Sequence, residues 1–153
     1  MYDVYTDGAC LNNGSPEARG GMGIYSEDLD IEDSIQWTLE HPPTNQRTEM
    51  MAVALALSLT KDVDGHVQIL SDSEYVVRGL NEWMEGWKLR EWRTSKGREV
   101  KNRWLWELLD SLNHKERDCS FVHVRGHVGI AGNEKADELA NRAAYSVTKE
   151  YET

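Results

Sequence analysis

Residues 50–59, MMAVALALSL, are apolar on nearly every face of a helix. A helix of that kind lies in a core rather than on a surface. Thr44 and Asn45 are good N-cap types just ahead of it, so a buried helix is expected over about 46–59. One acid, Glu49, interrupts it. In a first turn an acid complements the helix dipole. Yet Glu49 is the only acid on a helix otherwise made for burial.

The rest of the chain supplies what could enclose such a helix. Tyr2 to Cys10, YDVYTDGAC, alternates β-branched and aromatic types with polar ones and reads as a strand. Residues 11–21 read as a loop rich in Asn, Gly and Pro. Met22–Ser26 and Ser34–Leu39 read as strands joined by a solvated acidic turn, and Pro42-Pro43 ends the meander. A short apolar strand, Val67–Leu70, precedes a helix from Glu74 to Asn81 and an irregular helical stretch from Trp83 to Arg93. After a loop at 94–97, Val100–Leu112 predicts a helix with Trp104, Leu105, Leu108, Leu109 and Leu112 facing inward. Ser120–Val124 is a last strand. The glycine-rich loop RGHVGIAGNE carries His127, and Asn133 can cap a final helix over 134–147. Its buried stripe is Ala136, Ala140, Ala143 and Val147, with Asp137 in its first turn. Three meander strands followed by strand–helix alternation predict a mixed α/β sheet with helices packed on it.

The chain has 153 residues. That is one domain's length, enough to bury about 70% of the unfolded surface without staples. Cys10 and Cys119 lack metal-ligand spacing and read as buried free thiols in a reducing compartment, hence a cytoplasmic or nuclear rather than secreted protein. No run approaches a membrane span, and Met1 leads straight into the first strand, leaving no room for a leader. The net charge of −10 argues against a surface broadly coated for nucleic acid. The charge is uneven, however. Residues 88–103 carry seven Lys/Arg and two Glu, while five of the six tryptophans fall between Trp83 and Trp106. The pattern is an acidic protein with one basic, aromatic contact site.

Four carboxylates stand at expected element ends: Asp7, Glu49, Asp72 and Asp137. Each has a local alternative. Asp7 can shape an Asp-Gly turn, Asp72 can cap the next helix, and Glu49 and Asp137 can complement helix dipoles. An acid at the end of a buried strand is costly without a partner. An oxygen-only set with no clustered His or Cys points to a hard divalent cation rather than zinc.

YTDGAC, TNQRTEMMA, ILSDSEYV and VRGHVGIAGNEKADELA, in that order, resemble the signature segments of type 1 ribonuclease H. This endonuclease cuts the RNA strand of RNA/DNA hybrids. NEWMEGWKLREWRTSKGREVKN is similar to that family's basic protrusion, here residues 83–103. The resemblance covers about residues 2–145 of a catalytic domain spanning 1–148, followed by a frayed tail at 149–153. It implies a ribonuclease H-like five-stranded mixed sheet, three antiparallel strands and then two parallel to the first. It implies that Asp7, Glu49, Asp72 and Asp137 hold two Mg²⁺ ions, with Mn²⁺ as a substitute. Asp7 would bridge them, Glu49 and Asp72 would hold the leaving-group side, and Asp137 the nucleophile side. The products would be a 5′-phosphate and a 3′-hydroxyl. His127 matches a loop histidine and Glu134 an acid near the site, both assisting turnover and product release. Asn12, Asn45 and Gln46 would read the minor groove. Asn13, Thr44 and Asn102 match a pocket for a phosphate of the DNA strand. Trp83, Trp87, Lys88, Arg90, Trp92, Arg93 and Lys96 would form a DNA-facing surface, unless the tryptophans merely pack a helical handle. The expected partner is an RNA/DNA hybrid bound by a monomer. The alternatives are another metal nuclease of the same fold and a non-catalytic hybrid-binding module.

Overall fold

The computed structural model describes residues 1–152, with side chains to Ser146. Val147 and the tail at 149–153 lie outside the described side chains. The elements run β1 (Tyr2–Leu11), β2 (Arg19–Ser26), β3 (Ile31–Gln36), α1 (Asn45–Leu59), β4 (Val67–Ser71), α2 (Glu74–Arg78), α3 (Met84–Leu89), α4 (Arg103–Leu112), β5 (Cys119–His123) and α5 (Ala131–Glu152). They form one sheet in the order β3-β2-β1-β4-β5. The β1–β2 and β2–β3 pairs are antiparallel, and β4 and β5 run parallel to β1.

β1 is the central strand, and a helix covers each of its faces. On one face a Cβ added to Gly8 would fall 2.4 Å from the α1 backbone at Thr48 and Glu49. On the other, a Cβ at Gly23, the residue paired with Asp7, would fall 2.1 Å from the carbonyl oxygen of Ala136 in α5. Directly paired residues share a face, so α5 lies on the Asp7 side and α1 on the Gly8 side. α4 closes over the far side of α1, burying Leu105, Trp106 and Leu109. Met50, Ala52, Val53, Ala56 and Leu57 are sealed between these layers. Each large aliphatic so buried contributes about 1.5–3 kcal/mol.

Several boundaries differ from the sequence expectation. β2 starts at Arg19, not Met22, because Gly20 and Gly21, which read as loop, are strand residues kept bare where Thr48 of α1 and the α5 backbone press on opposite faces. β3 starts at Ile31, not Ser34, and ends at Gln36. The turn shrinks to Glu27–Asp30, with Asp30 left-handed (φ 55°) and Ser26 Oγ accepting from Leu29 N. As an edge strand, β3 leaves Glu32 exposed, where it meets Lys135 Nζ at 2.9 Å. The helix expected over 74–81 narrows to α2, then widens into a π-helical turn at Gly79–Trp83. There the fully buried Trp106 ring packs on Gly79. The stretch to Arg93 is helical only to Leu89. α4 begins at Arg103, not Val100, because Asn102 takes a left-handed conformation (φ 59°). α5 begins at Ala131, so Asn133 lies inside the helix rather than capping it. The two thiols are free but half-buried rather than buried.

Candidate active site

β1 and β4 are parallel neighbours with Thr6 opposite Ser71. The next residue of each, Asp7 and Asp72, therefore emerges at the same end of the sheet. The missing side chain at Gly8 lets α1 approach β1 until Glu49 meets Asp7. Oxygen atoms of Asp7, Glu49 and Asp72 all lie within 4.8 Å of one another. Asp137, carried by α5 over Gly23, reaches Asp7 from the opposite face, and its carboxyl is among the groups raising Asp7's pKa.

Each acid loses its local explanation in the fold. Asp7 lies within β1 rather than in a turn. Glu49 is beyond the first turn of α1, whose cap is Thr44, accepting from Arg47 N at 3.1 Å. Ser73, not Asp72, caps α2. Asp137 is beyond the first turn of α5, which holds Glu134. Among the described residues none of the four forms an ion pair. Glu49 Oε2 is sealed from solvent without a hydrogen-bond partner.

The electrostatic consequence is large. Burial, with the charges of Asp72 and Asp137, pushes the Asp7 carboxyl up to about 8, although its hydrogen bond with Glu49 partly offsets this. Glu49 rises well above the carboxylate range, first through burial and then through the Asp7 charge, while the Gly8 amide counters the rise. Mutually repelling oxygens, one of them sealed and none paired with a cation among the described residues, fit a hard divalent ion. The arrangement can anchor metal ions beside an anionic diester.

The loop after β5 passes directly over this group. A Cβ at Gly126 would fall 2.7 Å from Asp72 Oδ2. His127 follows, exposed and left-handed (φ 58°). Glu134 is exposed on the first turn of α5. His123 Nε2 lies 3.2 Å from the Asp72 carbonyl, a contact the sequence reading did not single out.

Asn13, Thr44, Asn45, Gln46 and Asn102, five of the expected substrate residues, line one cleft of about 420 Å³ with Arg47 and Lys101. Asn13 Oδ1 accepts from Asn45 N (3.0 Å), and Asn102 Oδ1 accepts from Arg47 Nε (3.1 Å). Asn102 Nδ2 is sealed and has no hydrogen-bond partner. Arg47, in the sequence only a cation neighbouring Glu49, is brought into this cleft by the start of α1. Asn12 is exposed and left-handed beside this cleft's loop (φ 55°).

The basic island is a folded handle. Trp83 and Trp87 lie 5.8 Å apart, and Trp87 meets the buried Trp106 at 5.2 Å. Trp92, half-buried, is tied by its backbone to Trp87 and Val100. Lys88 is held by Asp110 at 3.0 Å. Arg90, Arg93 and Lys96 are exposed and, among the described residues, form no ion pair.

A mixed sheet that gathers carboxylates at the ends of parallel strands, beside a cleft lined by Arg47 and Lys101, suits metal-assisted chemistry on a phosphate ester. Residues 1–145 match the family model described as RNase H. Ribonuclease H of Pseudomonas entomophila (strain L48) is 41% identical over 145 residues, covering 95% of this chain and 94% of the relative. Among solved structures, a foamy viral protease-reverse transcriptase in complex with dsDNA superposes with TM-score 0.82 at 28% identity, covering 95% of this chain and 94% of that one. LC11-RNase H1 in complex with RNA/DNA hybrid gives 0.68 at 26% identity, covering 97% and 99%. The chain belongs to the ribonuclease H family.

Proposed function

We propose that this protein hydrolyses the RNA strand of RNA/DNA hybrids endonucleolytically, leaving 5′-phosphate and 3′-hydroxyl ends. The observation that carries this is the convergence of Asp7, Glu49 and Asp72 within 4.8 Å, with Asp137 against Asp7 and, among the described residues, no cation paired with them. A pair of bound Mg²⁺ ions, or Mn²⁺ in their place, supplies an activated water and stabilises the leaving oxygen. The four carboxylates would hold those ions.

The other residues bind and orient. Asn12, Asn45 and Gln46 offer donors and acceptors for a 2′-hydroxyl, the group by which RNA is told from DNA. Asn13, Thr44 and Asn102 would receive a phosphate of the DNA strand, and the unpartnered Asn102 Nδ2 supports that role. Arg90, Arg93 and Lys96 would follow the DNA backbone beyond it, framed by Trp83, Trp87, Trp92 and Lys88. His127 is an exposed imidazole next to the residue packed on Asp72, placed to move a proton or loosen product. Glu134 would assist it.

No helix among the described residues is long and apolar enough to cross a membrane. Burial raises both thiols, Cys119 up to about 11, which keeps them protonated. Two free thiols fit a reducing compartment such as the cytoplasm, and we read the protein there as a monomer.

The test is cleavage of an end-labelled hybrid with Mg²⁺, Mn²⁺ or EDTA, beside the same RNA as a single strand and as an RNA duplex. Metal-dependent cutting of the hybrid alone is expected. A hybrid that is bound yet intact with either metal would remove the enzyme and leave a binding module.

A further inference from the structure

Beyond the phosphate cleft lies a second one of about 610 Å³, lined by His41, Arg47, Lys101, Asn102 and Trp104 among others. The two share Arg47, Lys101 and Asn102, so they form one continuous track. Its volume falls within the ~300–1,000 Å³ usual for small-molecule sites. The wall of the second cleft is a stacked pair: the His41 ring lies 4.2 Å from Trp104 at 21°. Trp37 braces Trp104 edge-on at 6.4 Å. One face of the His41 ring is covered by Trp104, and the residue as a whole is exposed.

The pair is held in place. Trp37 Nε1 donates to the His41 carbonyl (2.8 Å), and Arg47 Nη1 donates to the Pro42 carbonyl (2.7 Å). The proline after His41 restricts its backbone to extended conformations. Arg47 and Lys101 form no ion pair among the described residues, whereas Arg103 on the same rim is neutralised by Glu99 and Glu107. Cations without carboxylate partners in the same cleft as a fixed aromatic face are the chemistry that takes a nucleotide: phosphate on the cations, base on the ring.

We infer that this second cleft is a subsite for an unpaired nucleotide extending from the hybrid's DNA strand. The inference rests on the proposed role of the first cleft, from which the track continues. Inside a duplex each base face is already stacked on its neighbours. Only a nucleotide past the hybrid's end can offer a free face to His41. The subsite therefore favours hybrids that end in single-stranded DNA over blunt ones.

The test places 2-aminopurine at the first unpaired position of a DNA overhang, 5′ in one hybrid and 3′ in another, with a blunt hybrid as reference. Binding is measured in an Asp7→Asn background, so that substrate is bound without being cut. One overhang should show quenched fluorescence and about five- to tenfold tighter binding than the blunt hybrid. His41→Ala should abolish both gains and leave blunt-hybrid affinity unchanged, and His41→Phe should restore them. Equal affinity for blunt and overhang hybrids, or quenching that survives His41→Ala, would overturn the subsite while leaving hybrid binding intact. Failure to bind even the blunt hybrid would instead strike the proposed function, and the subsite with it.

Discussion

Replacing Asp7 by Asn should stabilise the metal-free protein above neutral pH. Asp7 is 4% exposed, and its carboxyl is pushed up to about 8 from an ordinary 3.8, chiefly by burial and then by neighbouring carboxylates. The folded state thus keeps a proton that the unfolded chain releases near pH 4. Between those values the folded state binds more protons, so raising the pH favours unfolding. This contribution is fully present below about pH 4 and is lost as pH rises toward 8. At about 1.4 kcal/mol per pH unit the window sets a ceiling of several kcal/mol. Backbone relaxation and proton sharing with Glu49 reduce it to an expected ~2 kcal/mol. In a domain of this size that is ~4–8 °C in melting temperature. Melts in EDTA at pH 5, 6, 7 and 8 should show the wild-type temperature falling relative to Asp7→Asn, with the variant ahead by that margin at pH 8. Saturating Mg²⁺ should reverse the order, because the variant has lost a ligand. A variant no more stable than wild type at pH 8 in EDTA would refute the claim that these carboxyls repel.

Three further outcomes are expected. Mg²⁺ at about a hundredfold its Kd should stabilise the wild type by ~2.7 kcal/mol, and a melting temperature unchanged from EDTA would count against the metal site. Gly8→Ala forces a Cβ to 2.4 Å from α1 backbone that cannot move aside; a loss of ~2–3 kcal/mol should come with hybrid cleavage impaired even well below the melting temperature, and near-normal cleavage would show that α1 tolerates displacement. Reversing Arg93 and Lys96 to Glu should weaken hybrid binding and flatten its log–log salt slope by up to ~2 while single-turnover cleavage at saturation holds, and an unchanged slope would remove the handle from the interface.

The strand–helix order was legible because period-2 and period-3.6 patterns report burial directly. Boundaries were less so, and for one reason. Gly21 looks like loop until α5 is seen resting on the sheet, Gly20 until Thr48 and Pro43 are seen against the other face, and Gly79 looks like helix until Trp106 is seen against it. Glycine marks a close approach, but the sequence does not name what approaches. Trp106 itself was passed over among the inward residues of α4 in favour of Trp104, which is half-exposed under His41. The four acids were picked out from their odd positions, but each kept a local alternative. Only tertiary structure removes those alternatives, by giving the caps to Thr44 and Ser73 and by starting α5 three residues earlier than Glu134. His41 and Arg47 left no signal in the sequence, since their roles depend on a proline-fixed loop meeting α4.

The charge distribution then acquires a physical reading. A protein of net charge −10 repels a polyanion at long range, so attraction has to be local and uncommitted. Ion pairing spends part of the basic island inside the protein: Lys88 on Asp110, Arg103 on Glu99 and Glu107. Of the island's cations, Arg90, Arg93, Lys96, Arg98 and Lys101 have no carboxylate partner among the described residues, and neither has Arg47 on α1. Lys101 and Arg47 border the phosphate cleft, and the others lead away along the handle. The carboxylate cluster carries the opposite sign. A bare site repels the scissile phosphate, and one filled by divalent ions attracts it. Metal occupancy therefore acts on substrate placement as well as on chemistry. On the proposed function, the free cations would hold one strand whatever the metal, while the acids would admit the other strand only once they are neutralised.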